Sequence, residues 1–227
     1  IIIFGVHEPE IIRKMKNSAF SRKNVVWAIF HHRVIFNVMI VATLIQIGNF
    51  SIQPLLSLYV SELTTSQEVA LLAGITFSAA GLGNIGFSRF FGKLSDEYGY
   101  EKILKFLLIA CVIFIIPQAF VTDLWQLMLL RFLYGTVSGG LIPITAALIR
   151  RDAPIEIQGE IMGYNQSFRF FGNIIGPILG GFVAGVAGIH SVFYTTGALF
   201  FVSAIVIYIT SRLPKQYMED MLKEHIN

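Results

Sequence analysis

The sequence predicts an all-α membrane protein with six transmembrane helices. Three observations lead there. Only 14% of the 227 residues are charged and 55% are hydrophobic, whereas soluble domains carry about 25% charged residues. The mean hydropathy of +0.68 is concentrated in long blocks, and crossing a hydrocarbon core as a helix takes about 20 apolar residues. The basic residues also fall on alternate connections between those blocks.

In chain order the blocks are Val34–Tyr59, Ala70–Phe91, Ile103–Val121, Leu124–Ile149, Ile161–Ala187 and Ser191–Thr210. Upstream, residues 1–33 read as the end of a preceding apolar segment (Ile1–Gly5) followed by a polar, basic cytoplasmic linker. The linker holds apolar patches at Ala19–Phe20 and Val25–Phe30. The patch around Trp27 is expected either as a short amphipathic helix on the membrane surface or as plain linker. Because the chain opens on Ile1 rather than Met, more polypeptide is expected before it. Residues 34–212 form the helical bundle, and Pro214 stops the last helix before a tail at 213–227. The Thr122–Asp123 connection makes the third and fourth helices antiparallel neighbours, and no connection is long enough for a separate extramembrane domain.

Charge placement sets the orientation. Arg13, Lys14, Lys16, Arg22, Lys23 and Arg33 precede the first block. Arg89, Lys93, Lys102 and Lys105 flank the second connection, Arg150 and Arg151 the fourth, and Arg212, Lys215 and Lys223 follow the last block. These are fifteen of the 17 Lys and Arg. The stretches Ser61–Val69, Thr122–Asp123 and Gly188–His190 hold none. By the positive-inside rule both ends are expected in the cytoplasm. Every basic cluster borders an apolar block, which argues against nucleic acid as a partner. The lone Cys111 sits within the third block, so no intramolecular disulfide is expected.

The connection after the second block reads Gly92-Lys93-Leu94-Ser95-Asp96-Glu97-Tyr98-Gly99. Gly92 at a helix end would admit a neighbouring helix. Asp96 would accept hydrogen bonds from N–H groups at a helix N-terminus, where the dipole favours negative charge. Gly99 would allow a tight reversal. Gly92, Leu94, Asp96 and Gly99 together resemble the G-x-L-x-D-x-x-G cytoplasmic loop motif of the major facilitator superfamily. Glu97, Tyr100 and Glu101 stand where the strong form of that motif is basic, and Lys102 comes one place late. This weakened form is usual in the family's C-terminal half.

In the fifth block Gly172, Gly176 and Gly180 recur every four residues, so they share a helix face and make a groove for close packing. Pro177 removes a backbone hydrogen bond and is expected to bend the helix. With Gly163 and Gly181 added, the pattern resembles the antiporter motif of proton-coupled drug exporters in that superfamily. Gly163-Tyr164-Asn165-Gln166-Ser167-Phe168-Arg169 is similar to the penultimate helix of MdtG-type multidrug exporters. Ser51-Ile52-Gln53-Pro54 with Leu58-Tyr59-Val60 is similar to their seventh helix. The resemblance runs from about Val34 to Leu213. It implies that the six helices are helices seven to twelve, the C-terminal half of a twelve-helix major facilitator fold. It further implies an N-terminal six-helix half of the same polypeptide as partner, the bacterial cytoplasmic membrane as location, and small-molecule substrates and protons as cargo. The proton-carrying acid would lie in the other half, and no cofactor is implied.

Two arginines lie inside the apolar blocks. A charge at mid-bilayer costs about 2.5–3.5 kcal/mol on insertion scales, so such residues face the bundle interior or water. Arg131, in Leu130-Arg131-Phe132-Leu133-Tyr134-Gly135, resembles the family's R-x-x-x-G motif, which implies a coupling role. It also lies about two turns from the outer end of its helix, within snorkelling reach of the surface. Asn165, Arg169 and Asn173 form a stripe on the fifth block, and Gln46, Asn49 and Gln53 another on the first. The bland alternative for both stripes is hydrogen-bonded glue between helices. The functional expectation is a transport cavity lined by these six, with Arg169 about halfway across the membrane. There it would pair with an acid of the other half or contact anionic groups of substrates.

Together these features point to secondary active export of amphipathic molecules. Uptake of a sugar or small metabolite on the same fold is the nearest alternative, and a non-transporting scaffold a further one. An intramembrane serine protease is disfavoured, because Gly135-Thr136-Val137-Ser138-Gly139 has the wrong spacing for its nucleophile loop. His7, His31, His32, His190 and His225 all lie outside or at the edges of the blocks. No catalytic residue and no metal site are therefore expected.

Overall fold

The fold comes from a computed structural model that describes residues 22–65 and 68–212. The expectations for Ile1–Gly5, for the linker up to residue 21 and for the tail at 213–227 lie outside them. Among the described residues, six helical units are long and apolar enough to cross a membrane: Arg33–Leu63, Val69–Tyr98, Tyr100–Phe120, Leu124–Asp152, Gln158–Ala187 and His190–Thr210. They are called the first to sixth spans. In lipid every backbone polar group must find its partner within the protein, which leaves helices as the solution for such blocks. The chain is a multi-pass membrane protein.

Five spans cover their expected blocks and add residues at one or both ends, while the third, expected to reach Val121, ends at Phe120. The largest addition corrects the reading of the loop motif. The second span continues to Tyr98, so Gly92, Leu94 and Asp96 are helical rather than a loop. Thirty residues at 1.5 Å each make about 45 Å, longer than the roughly 30 Å hydrocarbon core, so the helix projects beyond it. Nothing in Lys93–Tyr98 breaks a helix. Gly99, with φ of 95°, is where the chain turns into the third span.

The spans pair in a regular way. The first packs most closely on the fifth and the second on the fourth. The sixth lies against the first and third, and the third against the fourth. Exchanging first with fourth, second with fifth and third with sixth maps these contacts onto themselves, a three-plus-three inverted arrangement.

Both principal pairs depend on missing side chains. A Cβ at Gly172 would stand 2.7 Å from the Thr43 carbonyl oxygen, and one at Gly176 would stand 2.9 Å from that of Ile47. One at Gly180 would overlap the Ser51 carbonyl. Three glycines at four-residue steps thus meet three residues of the first span at the same steps. Thr43 adds a hydrogen bond from Oγ1 to the Phe168 carbonyl at 3.2 Å. The second and fourth spans repeat the device. A Cβ at Gly83 would lie 2.5 Å from the Phe132 oxygen, one at Gly139 would lie 2.6 Å from the Asn84 oxygen, and one at Gly135 would run into Ala80.

Two spans are interrupted at equivalent places. The first passes through a short 3₁₀ segment at Gln53–Leu55, around Pro54, before Leu56–Leu63 resumes. The fourth breaks at Gly139–Gly140 between Leu124–Ser138 and Leu141–Asp152. Glycine is needed there, because a Cβ at Gly140 would meet Leu107 at 2.6 Å and Phe91 at 2.9 Å. Pro177 leaves the fifth span a single uninterrupted helix, Gln158–Ala187.

Polar contacts tie the ends. At one end the Tyr59 hydroxyl donates to the Gln118 carbonyl at 2.6 Å, and His190 Nδ1 lies 2.8 Å from the Ala119 carbonyl oxygen. At the opposite end Arg151 pairs with Glu101 at 2.8 Å, and Asn37 donates to Thr210 at 3.0 Å. The Trp27 patch is a helix, Arg22–His31, with Val25, Ala28 and Ile29 buried against the bundle and Phe30 exposed.

The close approaches predict a sharp contrast between glycines. Gly135→Ala and Gly180→Ala should each destabilise the protein by about 1–3 kcal/mol, the usual cost of overpacking. Gly185→Ala, with open space where its methyl would sit, should be neutral. Thermal unfolding in detergent reads the difference. Equal midpoints for all three would show that the helix pairs are looser than described.

Candidate substrate cavity

A cavity of about 360 Å³ lies between the first, second and fourth spans. The first span contributes Gln46, Asn49 and Gln53, the second Phe77 and Asn84, and the fourth Arg131, Tyr134 and Ser138, with Phe50 and Ile142 among the apolar lining. Both helix interruptions touch it. Gln53 opens the 3₁₀ segment of the first span, and Ser138 is the last residue before the Gly139–Gly140 break. A shallower depression along Ala70–Leu82 is lined by one helix alone and gathers no charged group.

The fourth span supplies the cavity's charge. Leu127, Arg131 and Tyr134 share the helix face turned into the bundle, and all three are buried. Arg131 is 6% exposed, and its Nε and Nη2 are buried without a hydrogen-bond partner. Its Cζ lies 6.0 Å from the centroid of the Phe193 ring. The snorkelling expectation is thereby corrected, since this helix face offers the side chain no path to the surface.

The amides behave differently. The Tyr134 hydroxyl donates to Asn49 Oδ1, joining the fourth span to the first. Gln46 Nε2 donates to Asn173 Oδ1 at 2.9 Å, joining the first to the fifth. Gln46 is therefore both cavity wall and interhelical tie. Asn165, Arg169 and Asn173 do not line this cavity. Asn165 is buried with its Oδ1 unpartnered, whereas Arg169 is half-buried and donates from Nη1 to Gln166 on its own helix at 2.9 Å. The cavity gathers the first amide stripe around Arg131, and leaves the second stripe on the flank of the fifth span.

The glycine motif divides in the same manner. Gly172, Gly176 and Gly180 sit against the first span, while Gly163 and Gly181 have no atom within 4 Å of an added Cβ. In the loop motif Asp96 accepts a hydrogen bond from the Tyr100 hydroxyl at 2.7 Å instead of capping a helix: Asp96 lies in the last turn of the second span, and Tyr100 opens the third just past Gly99. Gly92 has open space, not a neighbouring helix, beside it. Leu94 packs on the core. Asn84, Tyr134 and Ser138 are cavity residues that the sequence reading passed over. Asn84 carried a usable signal, an amide inside an apolar block, the same one that singled out Gln46.

A buried cation without a counter-charge costs stability. Replacing it by an apolar side chain of similar length should raise the unfolding free energy by about 1–4 kcal/mol, in the range seen when buried ionic groups are exchanged for well-packed apolar ones. Arg131→Met should therefore melt at a higher temperature than the parent in ligand-free detergent solution. A lower midpoint would mean that the guanidinium is compensated.

Comparison with known proteins agrees with this architecture. Residues 12–222 match the family model of the Major Facilitator Superfamily. The chain is 46% identical over 216 residues to the uncharacterized MFS-type transporter YuxJ of Bacillus subtilis, covering 95% of this chain and 55% of that protein. It is 34% identical over 202 residues to the multidrug resistance protein MdtG of Proteus mirabilis, covering 88% of this chain and 50% of that one. Against MdtG of Serratia proteamaculans the figures are 35% over 211 residues, 92% and 51%. The chain thus spans about half the length of the curated relatives it matches. Among solved structures, an auto-inhibited POT family peptide transporter superposes with a TM-score of 0.64 at 15% identity, over 81% of this chain and 39% of that one. That likeness concerns the fold alone. From these matches and the six-span arrangement, the chain belongs to the Major Facilitator Superfamily.

Proposed function

We propose that this six-span unit is the C-terminal half of a bacterial secondary transporter that exports amphipathic small molecules in exchange for protons. The observation that carries the reading is the cavity at two interrupted helices. Discontinuous helices near the midplane are where transporters of this type build their substrate sites, and alternating access rocks one helical unit against another around them. The mixture of amides with Phe50, Phe77 and Tyr134 suits molecules that are apolar with one polar end. The multidrug resistance names of the MdtG relatives favour export over uptake.

The second and fifth spans have the smallest buried shares. Leu82, Ile85 and Phe90 of the second, and Ile174, Ile178 and Phe182 of the fifth, are exposed. These two occupy equivalent places in the three-plus-three pattern, and on the half-transporter reading their faces are where the other half packs.

Inverted membrane vesicles containing the full-length protein test the export reading. Imposing an acid interior should drive accumulation of a fluorescent amphipathic dye, and a protonophore should abolish it. Gradient-independent accumulation, or movement in the opposite direction, would sink it. Orientation is tested separately in intact cells with a membrane-impermeant maleimide. Cysteines at Ser61→Cys and Glu97→Cys occupy exposed positions at opposite ends of the bundle, and the native Cys111 is buried. Ser61→Cys should label at once and Glu97→Cys only after permeabilisation. The reverse pattern would invert the topology.

A further inference from the structure

We propose that the cavity around Arg131 binds one monoanionic group of carboxylate type, carried on an apolar or aromatic ring of the transported molecule. The inference rests on the transport reading above and narrows its substrate class.

Arg131 is only 6% exposed, and it lines the cavity. Two of its guanidinium nitrogens, Nε and Nη2, are buried donors without an acceptor. A buried donor left unmade forfeits its desolvation energy, and more so when charged. No Asp or Glu lines the cavity, and among the described residues Arg131 has no ion pair. The other polar groups that line the cavity are neutral amides and hydroxyls. Asn49 Oδ1 is held by the Tyr134 hydroxyl, and Gln46 uses its amide nitrogen on Asn173.

The cavity therefore carries one positive charge and no negative one. A guanidinium presents parallel N–H groups that match the two oxygens of a carboxylate. The opposite requirement, an apolar body, is met by Phe50, Phe77 and Ile142 on the same walls. A cationic head would meet like charge without a neighbouring acid to offset it. A neutral amide would supply a weaker acceptor to the same donors. The complementary ligand is an apolar monocarboxylate.

The probe pair is 2-naphthoate and 2-naphthamide, alike in shape and different in charge at neutral pH. Their dissociation constants are measured by equilibrium dialysis against the full-length protein in detergent, without any gradient. The naphthoate should bind about tenfold tighter or more, the worth of a charge-assisted hydrogen bond. Arg131→Gln should bring the two constants together, and Arg131→Lys should keep part of the preference, because charge persists without the fork. Equal constants in the parent protein would overturn the proposal and place the counter-anion in an acidic side chain elsewhere in the polypeptide. A preference that persists in Arg131→Gln would overturn it too, by assigning the anion to another cation. The parent comparison stands even if the Gln variant does not fold. Because no gradient is present, failed dye export with an intact carboxylate preference would count against the transport reading alone, and the converse against this site alone.

Discussion

Helices surrounded by lipid gain little from pressing apolar side chains together, because hydrocarbon tails are as apolar as leucine. What holds them is close packing, interhelical hydrogen bonds and the lipid released between them. In this protein that constraint is met by bringing backbones together. Gly172, Gly176 and Gly180 let the fifth span settle on the carbonyls of Thr43, Ile47 and Ser51, and Gly83, Gly135 and Gly139 do the same between the second and fourth spans. With the two pairs locked, the third and sixth spans pack around them through larger side chains such as Leu107, Leu108, Phe193 and Phe200. The Tyr59, Gln118 and His190 contacts close one end. Every other feature hangs on those two backbone contacts.

The cavity is a consequence of the same geometry. The first and fourth spans are each held tightly by one partner, yet each is interrupted, at Gln53–Leu55 and at Gly139–Gly140. A straight pair of helices would have filled the space with side chains. The breaks redirect the chain and leave room of about 360 Å³, into which polar groups from three spans project. Gln46 and Asn49 find partners across helices, and so stabilise the walls. Arg131 does not, and remains a charged donor in a low-dielectric space where electrostatic interactions are strong. Stability and function pull in opposite directions at this residue, as is usual for ionisable groups within a membrane. Its helix supplies both sides of the conflict, since Gly135, one turn further on, provides the tight contact with Ala80 that fixes where Arg131 must point.

The amino-acid order alone determined the number of spans, their limits to within a few residues at most ends, and the face carried by the fifth-span glycines. Those properties are local: apolar run length and four-residue periodicity act within one helix, and neither needs to know its neighbour. It also singled out Gln46, Asn49 and Gln53, because an amide in an apolar block must answer to something. The tertiary structure decided which arginine those amides meet. Arg131 and Arg169 both sit within apolar blocks, but only the packing of the fourth span against the second turns Arg131 into the cavity, while Arg169 stays on the flank of the fifth with Gln166. The partner of each glycine face, the break at Gly139–Gly140 and the helical state of Gly92–Tyr98 were likewise settled by packing and by helix length relative to the bilayer. Such features depend on the separation between elements distant in sequence, and no periodicity within a single helix encodes that separation.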